Sequence, residues 1–181
     1  MRGNRDIRET HARILDVKTR ARSVLFRSRE GTIITALGER RFVLLEMLAR
    51  AGGHFEVGER VDVDGRIQAV LGRLDYFRIS TAATQEVPRA IQGIVASCES
   101  RFVGYLNTAG LVNTQAHSIG MLPGVGRALL KVILKEREAR PFTSYTDVEE
   151  RTGWRDPAEN LVQRIRDEME GRTGTRLFVR G

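Results

Sequence analysis

Cysteine is nearly absent from this sequence: Cys98 stands alone among 181 residues. A single thiol excludes an intrachain disulfide and any cysteine-rich zinc site. It falls in a helical apolar pattern and reads as an inert core thiol. Histidine is almost as scarce, and His11, His54 and His117 lie in different segments with no metal-ligand spacing between them. No paired carboxylates stand in a metal-binding motif, so the residues call for no metal, no cofactor and no small-molecule substrate. No apolar run approaches the length needed to cross a bilayer, and the first residues lack the apolar core of a signal peptide. The expectation is a cytoplasmic protein with no membrane partner. Lysine is rare as well, with only Lys18, Lys131 and Lys135.

Arginine is abundant. It supplies nearly all of a net charge of +7 and a pI near 10.4, which favours a polyanionic partner. The guanidinium fork suits phosphates and stacks on bases, although a solvated surface uses the same residue. The charge is uneven: residues 1–29 hold nine Arg or Lys against three Asp or Glu. Residues 1–30 therefore read as a basic arm leading into the first strands.

Residues 12–80 read as a small β domain. Ala12 to Val17 is β-branched, Val24 to Phe26 is a short apolar patch, and an extended piece runs from Gly31 through Ile34. Arg40 to Leu48 fits strand or helix by period alone, and strand through about Glu46 is favoured before the Gly52-Gly53 turn. Val57 to Val63 alternates up to Asp64-Gly65, a hairpin signal. Leu71 to Ile79 supplies a last extended stretch. About five short strands suggest a small barrel of the oligonucleotide-binding type. Gly58-Glu59-Arg60-Val61 resembles the strand entry of ribosomal-S1-like barrels. Arg40, Arg41, Arg60, Arg66 and Arg73 are candidates to line a groove, with Tyr76 or Phe77 stacking on a base. Phe42, Phe55 and Phe77 read more readily as core.

From Ser80-Thr81 the period becomes helical, and residues 81–174 read as an all-α domain. Thr81 or Thr84 caps its first helix, Pro88 begins or kinks it, and Ile91, Ile94, Val95 and Cys98 recur on one face. A second helical piece covers Arg101 to Leu106 and ends at Asn107-Thr108-Ala109-Gly110. Thr143 or Ser144 caps a later helix with Asp147 as the capping partner, and Gly153 ends it. Asp156-Pro157-Ala158-Glu159 starts another, with Leu161, Val162, Ile165 and Met169 as its buried stripe. Residues 175–181, through Leu177-Phe178-Val179, read as a C-terminal strand returning to the barrel.

The most informative stretch is Leu122-Pro123-Gly124-Val125-Gly126, set in a helix-hairpin-helix over residues 114–140. Thr114 to Met121 reads as its first helix. Pro123 stops that helix, the glycines reverse the chain, and a second helix begins at Arg127. A helix start of this kind presents unpaired amide N–H groups to an anion, phosphate above all. Arg127, Lys131 and Lys135 share one edge of the second helix at i, i+4 and i+8, with Glu138 falling within that strip. Ala128, Leu129, Leu130, Val132, Ile133 and Leu134, interrupted by Glu136, cover a wide apolar sector that reads as mostly buried. Gly124, Val125, Gly126, Arg127, Lys131 and Lys135, with Arg40, Arg41 and Arg60, are thus the candidate nucleic-acid contacts. A corner that only packs is the alternative reading of the same turn.

The hairpin, Arg137-Glu138, Pro141-Phe142 and Asp147-Val148 resemble the helix-hairpin-helix module of DNA-uptake, repair and recombination proteins. A narrower likeness rests on Gly38-Glu39-Arg40-Arg41-Phe42-Val43-Leu44-Leu45-Glu46, Gly58-Glu59-Arg60-Val61, Arg101-Phe102-Val103, His117-Ser118, the hairpin, Asp156-Pro157 and Arg176-Leu177-Phe178-Val179-Arg180, in that order. Together they resemble the archaeal family catalogued as domain of unknown function 655, a predicted RNA-binding protein. The likeness covers about residues 38 to 181. It implies an α+β protein with an N-terminal oligonucleotide-binding-like β-barrel domain, then a helix-hairpin-helix domain, and no known enzymatic activity. Residues 1–30 match the family's usual start poorly.

Three functions arise as expectations. The first is a non-catalytic nucleic-acid-binding protein, with RNA favoured over DNA by the resemblance. The second is a repair-type enzyme, for which Asp147 is the nearest candidate acid, although it reads as part of a capped first turn. The third is an adaptor associated with a ribosome, ribonucleoprotein or polymerase.

Overall fold

The computed structural model describes residues 9–180; residues 1–8 of the basic arm lie outside them. The fold is α+β, with five strands and five helices among the described residues. The chain divides into two compact units, Met1–Ala90 with Met169–Gly181, and Ile91–Glu168.

The β unit holds β1 (His11–Arg22), β2 (Glu30–Gly38), β3 (Leu44–Ala49), β4 (Arg60–Asp62) and β5 (Ile67–Leu74) in one sheet of order β4-β1-β2-β3-β5. Every pairing is antiparallel. β4 and β5 must therefore run in the same direction, since β1 and β3 do. The turn at Asp64-Gly65 is thus not the hairpin its residues suggest. An Asx turn bends the chain there, with the Asp64 N–H donating to Asp62 Oδ1 at 2.9 Å, but β5 then pairs with the opposite edge of the sheet. Four flat strand spacings would separate those edges by about 19 Å. The five residue steps from Asp62 to Ile67 span at most about 18 Å even when fully extended. The sheet has to curl for one run of chain to serve both edges, giving a barrel-like unit.

Inside the curl Ile14, Ile34, Leu45, Met47, Phe55 and Val61 belong to one buried cluster. Leu44, Glu46 and Leu48, on the alternate positions of β3, are buried too, so both faces of that strand are covered. The expected strand from Arg40 begins only at Leu44. Phe42 sits at φ 54°, and the Gly38 N–H reaches across a tight turn to the Val43 carbonyl at 2.9 Å. Val24 to Phe26 forms a turn rather than a strand, and Tyr76–Arg78 is a 3-10 turn capped by Asp75. The C-terminal segment returns to this unit without becoming a strand. Phe178 and Val179 are buried and the Arg180 N–H donates to the Arg41 carbonyl at 3.0 Å.

The helical elements are α1 (Thr81–Ser97), α2 (Glu99–Thr108), α3 (Arg127–Ala139), α4 (Tyr145–Thr152) and α5 (Pro157–Met169); the unit boundary falls within α1 and at the end of α5. Ser80 rather than a threonine caps α1, its Oγ accepting from the Ala83 N–H at 3.1 Å, and Pro88 lies inside that helix. Cys98 is half-buried at the N-cap of α2, where the helical pattern carries straight across the junction between two helices. Ser144 caps α4 through the Asp147 N–H at 3.0 Å, and Gly153 ends it at φ 74°, as their residue types dictate.

Candidate nucleic-acid interface

The second unit is built around the turn at residues 122–126. Residues 114–121 do not form the expected helix. Leu111 bridges to His117, and only Ser118–Met121 closes into a 3-10 turn. The cause is local capping: His117 Nδ1 accepts from the Ile119 N–H at 3.2 Å, while the Ser118 N–H and hydroxyl donate to the Gly110 carbonyl at 3.0 and 2.8 Å. Those bonds divert the backbone before a helical ladder can start.

The hairpin itself is held at two carbonyls. Arg164 of α5 donates to the Met121 carbonyl at 2.9 Å and pairs with Glu168 at 2.9 Å. Trp154 Nε1 donates to the Pro123 carbonyl at 3.1 Å. Gly124 sits at φ 75°, and a Cβ there would lie 3.2 Å from Trp154 Nε1, so both backbone conformation and space select glycine. Leu122 and Val125 are buried beneath the turn.

The first helical hydrogen bond of α3 runs from the Leu130 N–H to the Gly126 carbonyl at 2.9 Å. The N–H groups of Gly126, Arg127, Ala128 and Leu129 precede it and have no intrahelical acceptor. Gly126 is the N-cap and carries no side chain to cap them. The helix dipole adds roughly half a positive charge at the same end. Arg127, Lys131 and Lys135 are exposed, and none makes a salt bridge to a described residue. The turn thus brings together six of the nine sequence-predicted residues, with one correction. Val125 is not a contact, because its side chain is buried and its N–H donates to the Leu122 carbonyl at 3.2 Å. A second correction concerns α3, which is far more open than its apolar sector implies. Only Ile133 is fully buried and Val132 is 40% exposed. An apolar sector is buried only as widely as neighbours cover it.

The cleft beside the turn is lined by Gly124, Leu129, Trp154 and Asn160, with Arg155 as well as Asp156 and Glu159 bringing charge to it. Asp156 and Glu159, at the start of α5, place carboxylates there. With Arg155 beside them the charge of the cleft is mixed, whereas Arg127, Lys131 and Lys135 on α3 are exposed cations.

The other three predicted residues belong to the β unit. Glu9 accepts the backbone N–H groups of Arg40 and Arg41, both at 2.7 Å, so that segment is a structural tie. Arg60 donates to both oxygens of the buried Glu39 carboxylate at 3.0 Å, which also receives Arg13. Arg66 is committed to Glu59 and the His54 carbonyl, and its guanidinium lies 4.5 Å over the Phe55 ring. Phe42 and Phe55 are core, whereas Phe77 is 79% exposed with Tyr76 edge-on to it at 5.5 Å. Phe77 is therefore open for stacking.

Two further side chains tune the α unit. Arg137 donates to the Leu106 and Ala109 carbonyls at 3.1 and 2.7 Å, closing the C-terminal end of α2. Arg151 donates to the Glu136 and Arg140 carbonyls at 2.6 and 2.9 Å, pairs with Glu136 and Asp147, and lies over Phe142. Asp147, the nearest candidate acid, accepts from the Thr143 N–H and pairs with Arg151 and Arg140. Burial raises its pKa, but those partners outweigh it and hold the carboxyl below its ordinary range. A carboxylate so engaged is a poor nucleophile or base. Among the described residues no group of His, Cys, Asp and Glu is placed to hold a metal ion, and no helix is long and apolar enough to cross a membrane.

His117 supplies a pH test of this architecture. Burial, and then the Arg137 charge, lower its pKa below the ordinary 6.5. The unfolded chain therefore takes up this proton first as pH falls. The stability that neutral His117 provides is complete above about pH 6.5 and is lost as pH drops through the depressed folded value. Denaturant midpoints taken between about pH 7.5 and about pH 5 should fall for the wild type. They should fall less steeply for His117→Asn; parallel profiles would remove His117 from the account.

Neither Trp154 nor Arg164 stands out by motif, yet both set the turn. The usable signals were a sole tryptophan between two predicted helices and an Arg-Glu pair four residues apart within the apolar stripe of α5.

Comparison with known proteins adds three findings. The family described as "Protein of unknown function (DUF655)" matches residues 9–180. An uncharacterized protein of Methanocaldococcus jannaschii is 31% identical over 141 residues, which is 76% of this chain and 64% of that one. The chain thus spans under two thirds of the length of that curated relative. A crystal structure from Archaeoglobus fulgidus, itself assigned to DUF655, superimposes with a TM-score of 0.79 at 30% identity. That match covers 95% of this chain and all of the other.

Proposed function

We propose that this chain, which belongs to the DUF655 family, is a non-catalytic nucleic-acid-binding protein that grips a phosphate backbone with the 122–126 turn and the basic edge of α3. One observation carries the reading: four uncapped amide N–H groups at Gly126–Leu129 share a helix with three exposed cations that make no salt bridge to a described residue, against one exposed carboxylate, Glu138, on the same strip. Each alone is common on protein surfaces. Together they leave a concentrated positive site whose natural complement is phosphate.

Within this reading the 3-10 turn, the glycine reversal and α3 act as a helix-hairpin-helix element with a shortened first helix. The β unit acts as an oligonucleotide-binding-type barrel, a reading supported by its five strands and its curl, although the meander of β1 to β3 and the shared direction of β4 and β5 give it a connectivity of its own. Single strands are favoured because exposed Phe77 offers a stacking surface to unpaired bases, and RNA among them because of the family resemblance. The absence of catalysis is supported by Asp147, whose oxygens are already committed.

Contacts of this kind position a strand without reading bases. Binding of labelled single-stranded RNA, duplex RNA and duplex DNA should all weaken steeply with salt. Three phosphate contacts on a single strand give a slope of log K against log salt of about −2, and β-unit contacts make it steeper. Absence of binding at low salt removes the proposal. An adaptor role has one observation in its favour, the exposed Leu111 and Val112. It predicts that charge reversal on α3 leaves function untouched.

A further inference from the structure

The β1–β2 connection, Ser23 to Arg29, is a closed and internally bonded loop. The Ser23 N–H donates to the Arg29 carbonyl at 2.9 Å and the Arg29 N–H to the Phe26 carbonyl at 2.8 Å. Beneath it lies Glu46, a buried carboxylate in the middle of β3. Its Oε2 accepts the Ser23 hydroxyl at 2.5 Å and the Leu25 N–H at 3.2 Å, and its Oε1 accepts the Val24 N–H at 2.8 Å. The Ser23 hydroxyl in turn accepts the Phe26 N–H at 2.8 Å. A buried charge is expensive unless hydrogen-bonded, and here the loop backbone supplies those bonds. The loop is therefore fixed before any partner arrives.

That fixed backbone sorts the side chains by alternation. Leu25 turns inward, close enough to Gly72 that a Cβ on the glycine would lie 2.9 Å from Leu25 Cδ1. Val24 and Phe26 face solvent, 63% and 51% exposed. An apolar pair with an aromatic ring, held outward by a rigid loop, gains nothing for the fold. The charges around it are almost all of one sign. Arg27 and Arg29 are in the loop, while Arg20 sits at φ 52° in the irregular part of β1. All three are exposed and make no salt bridge to a described residue, whereas Arg22 pairs with Glu30 at 3.3 Å.

We infer that this loop is a second nucleic-acid contact: Phe26 stacks on an unpaired base while Arg20, Arg27 and Arg29 hold the flanking phosphates. The inference rests on the nucleic-acid-binding function proposed above. Single strands are the occupant because an outward ring needs an exposed base face, which a paired helix hides. Cations around the ring select a polyanion over an uncharged apolar partner. Pre-organisation by Glu46 keeps the ordering cost of such a contact low.

The test is titration of labelled oligouridylate and oligoadenylate against the full chain, with Lys131→Glu run in parallel. Phe26→Ala and Phe26→Leu should each weaken single-strand binding by roughly tenfold or more with the salt slope unchanged. Phe26→Trp should retain binding, an outcome that separates stacking from mere apolarity. The double variant Arg27→Ala/Arg29→Ala should make the salt slope shallower by about 1.4. All these side chains are solvent-exposed, so thermal midpoints should match the wild type. If the loop variants bind as the wild type does while Lys131→Glu fails, the loop inference is overturned and the proposed function stands. If the wild type binds neither oligomer, the proposed function falls and the loop inference with it.

Discussion

Arg164→Ala is expected to destabilise the α unit by about 3–5 kcal/mol. Glu168, its partner at 2.9 Å, is 1% exposed, so the substitution leaves a carboxylate that water can scarcely reach. The Met121 carbonyl loses its donor at the same time. In a chain of this size the cost corresponds to a fall of roughly 10 °C in thermal midpoint. Trp154 is the sole tryptophan, so its fluorescence reports the transition of this unit directly. Replacing both partners by apolar residues, Arg164→Met with Glu168→Leu, should recover most of the loss, because the buried carboxylate is removed together with its partner. A single-variant cost below about 1 kcal/mol, small for a broken buried pair, would mean that water reaches Glu168.

Trp154→Ala should cost about 3–5 kcal/mol through the cavity that a buried tryptophan leaves. Trp154 is 2% exposed and supports the turn in two ways, by donating to the Pro123 carbonyl and by packing where a Gly124 Cβ would stand. Trp154→Phe separates them. It retains much of the ring volume and loses the donor, so its cost should be nearer 1 kcal/mol, the net worth of one hydrogen bond. Because the turn frames the Gly126–Leu129 amides, Trp154→Phe should also weaken nucleic-acid binding several-fold while the chain remains folded by circular dichroism. Unchanged affinity in that variant would show that the turn geometry does not matter for binding.

What the sequence made legible was punctuation and charge. Ser144, Gly153 and Asp156-Pro157 bound α4 and α5 because capping is decided within a few residues. The reversal at Pro123-Gly124 and the cationic edge of α3 were readable for the same reason. The misread features depend on distant partners. Asp64-Gly65 announces a bend, but only the edges of β1 and β3 decide that β5 continues in the direction of β4. The apolar residues of α3 follow a helical period, which cannot say how much of the sector neighbours will cover. Arg60 reads as a free cation until the fold brings buried Glu39 within 3.0 Å of it. Phe77 reads as core until the chain turns at Asp75 and leaves it in solvent. The Leu177-Phe178-Val179 segment has strand composition, and Phe178 and Val179 are buried, but it does not become a strand.

Uncapped amides at the start of α3, with exposed cations along it that make no salt bridge to a described residue, are proposed to hold a phosphate backbone. The most direct measurement compares the affinity of wild type and Lys131→Glu for the same labelled single-stranded RNA across a salt series, with circular dichroism confirming that both are folded. Lys131 is exposed and makes no described ion pair, so the substitution changes charge without touching the core. The account predicts at least a tenfold loss at low salt and a shallower salt slope for Lys131→Glu. Equal affinity and equal slope in the two proteins would contradict it.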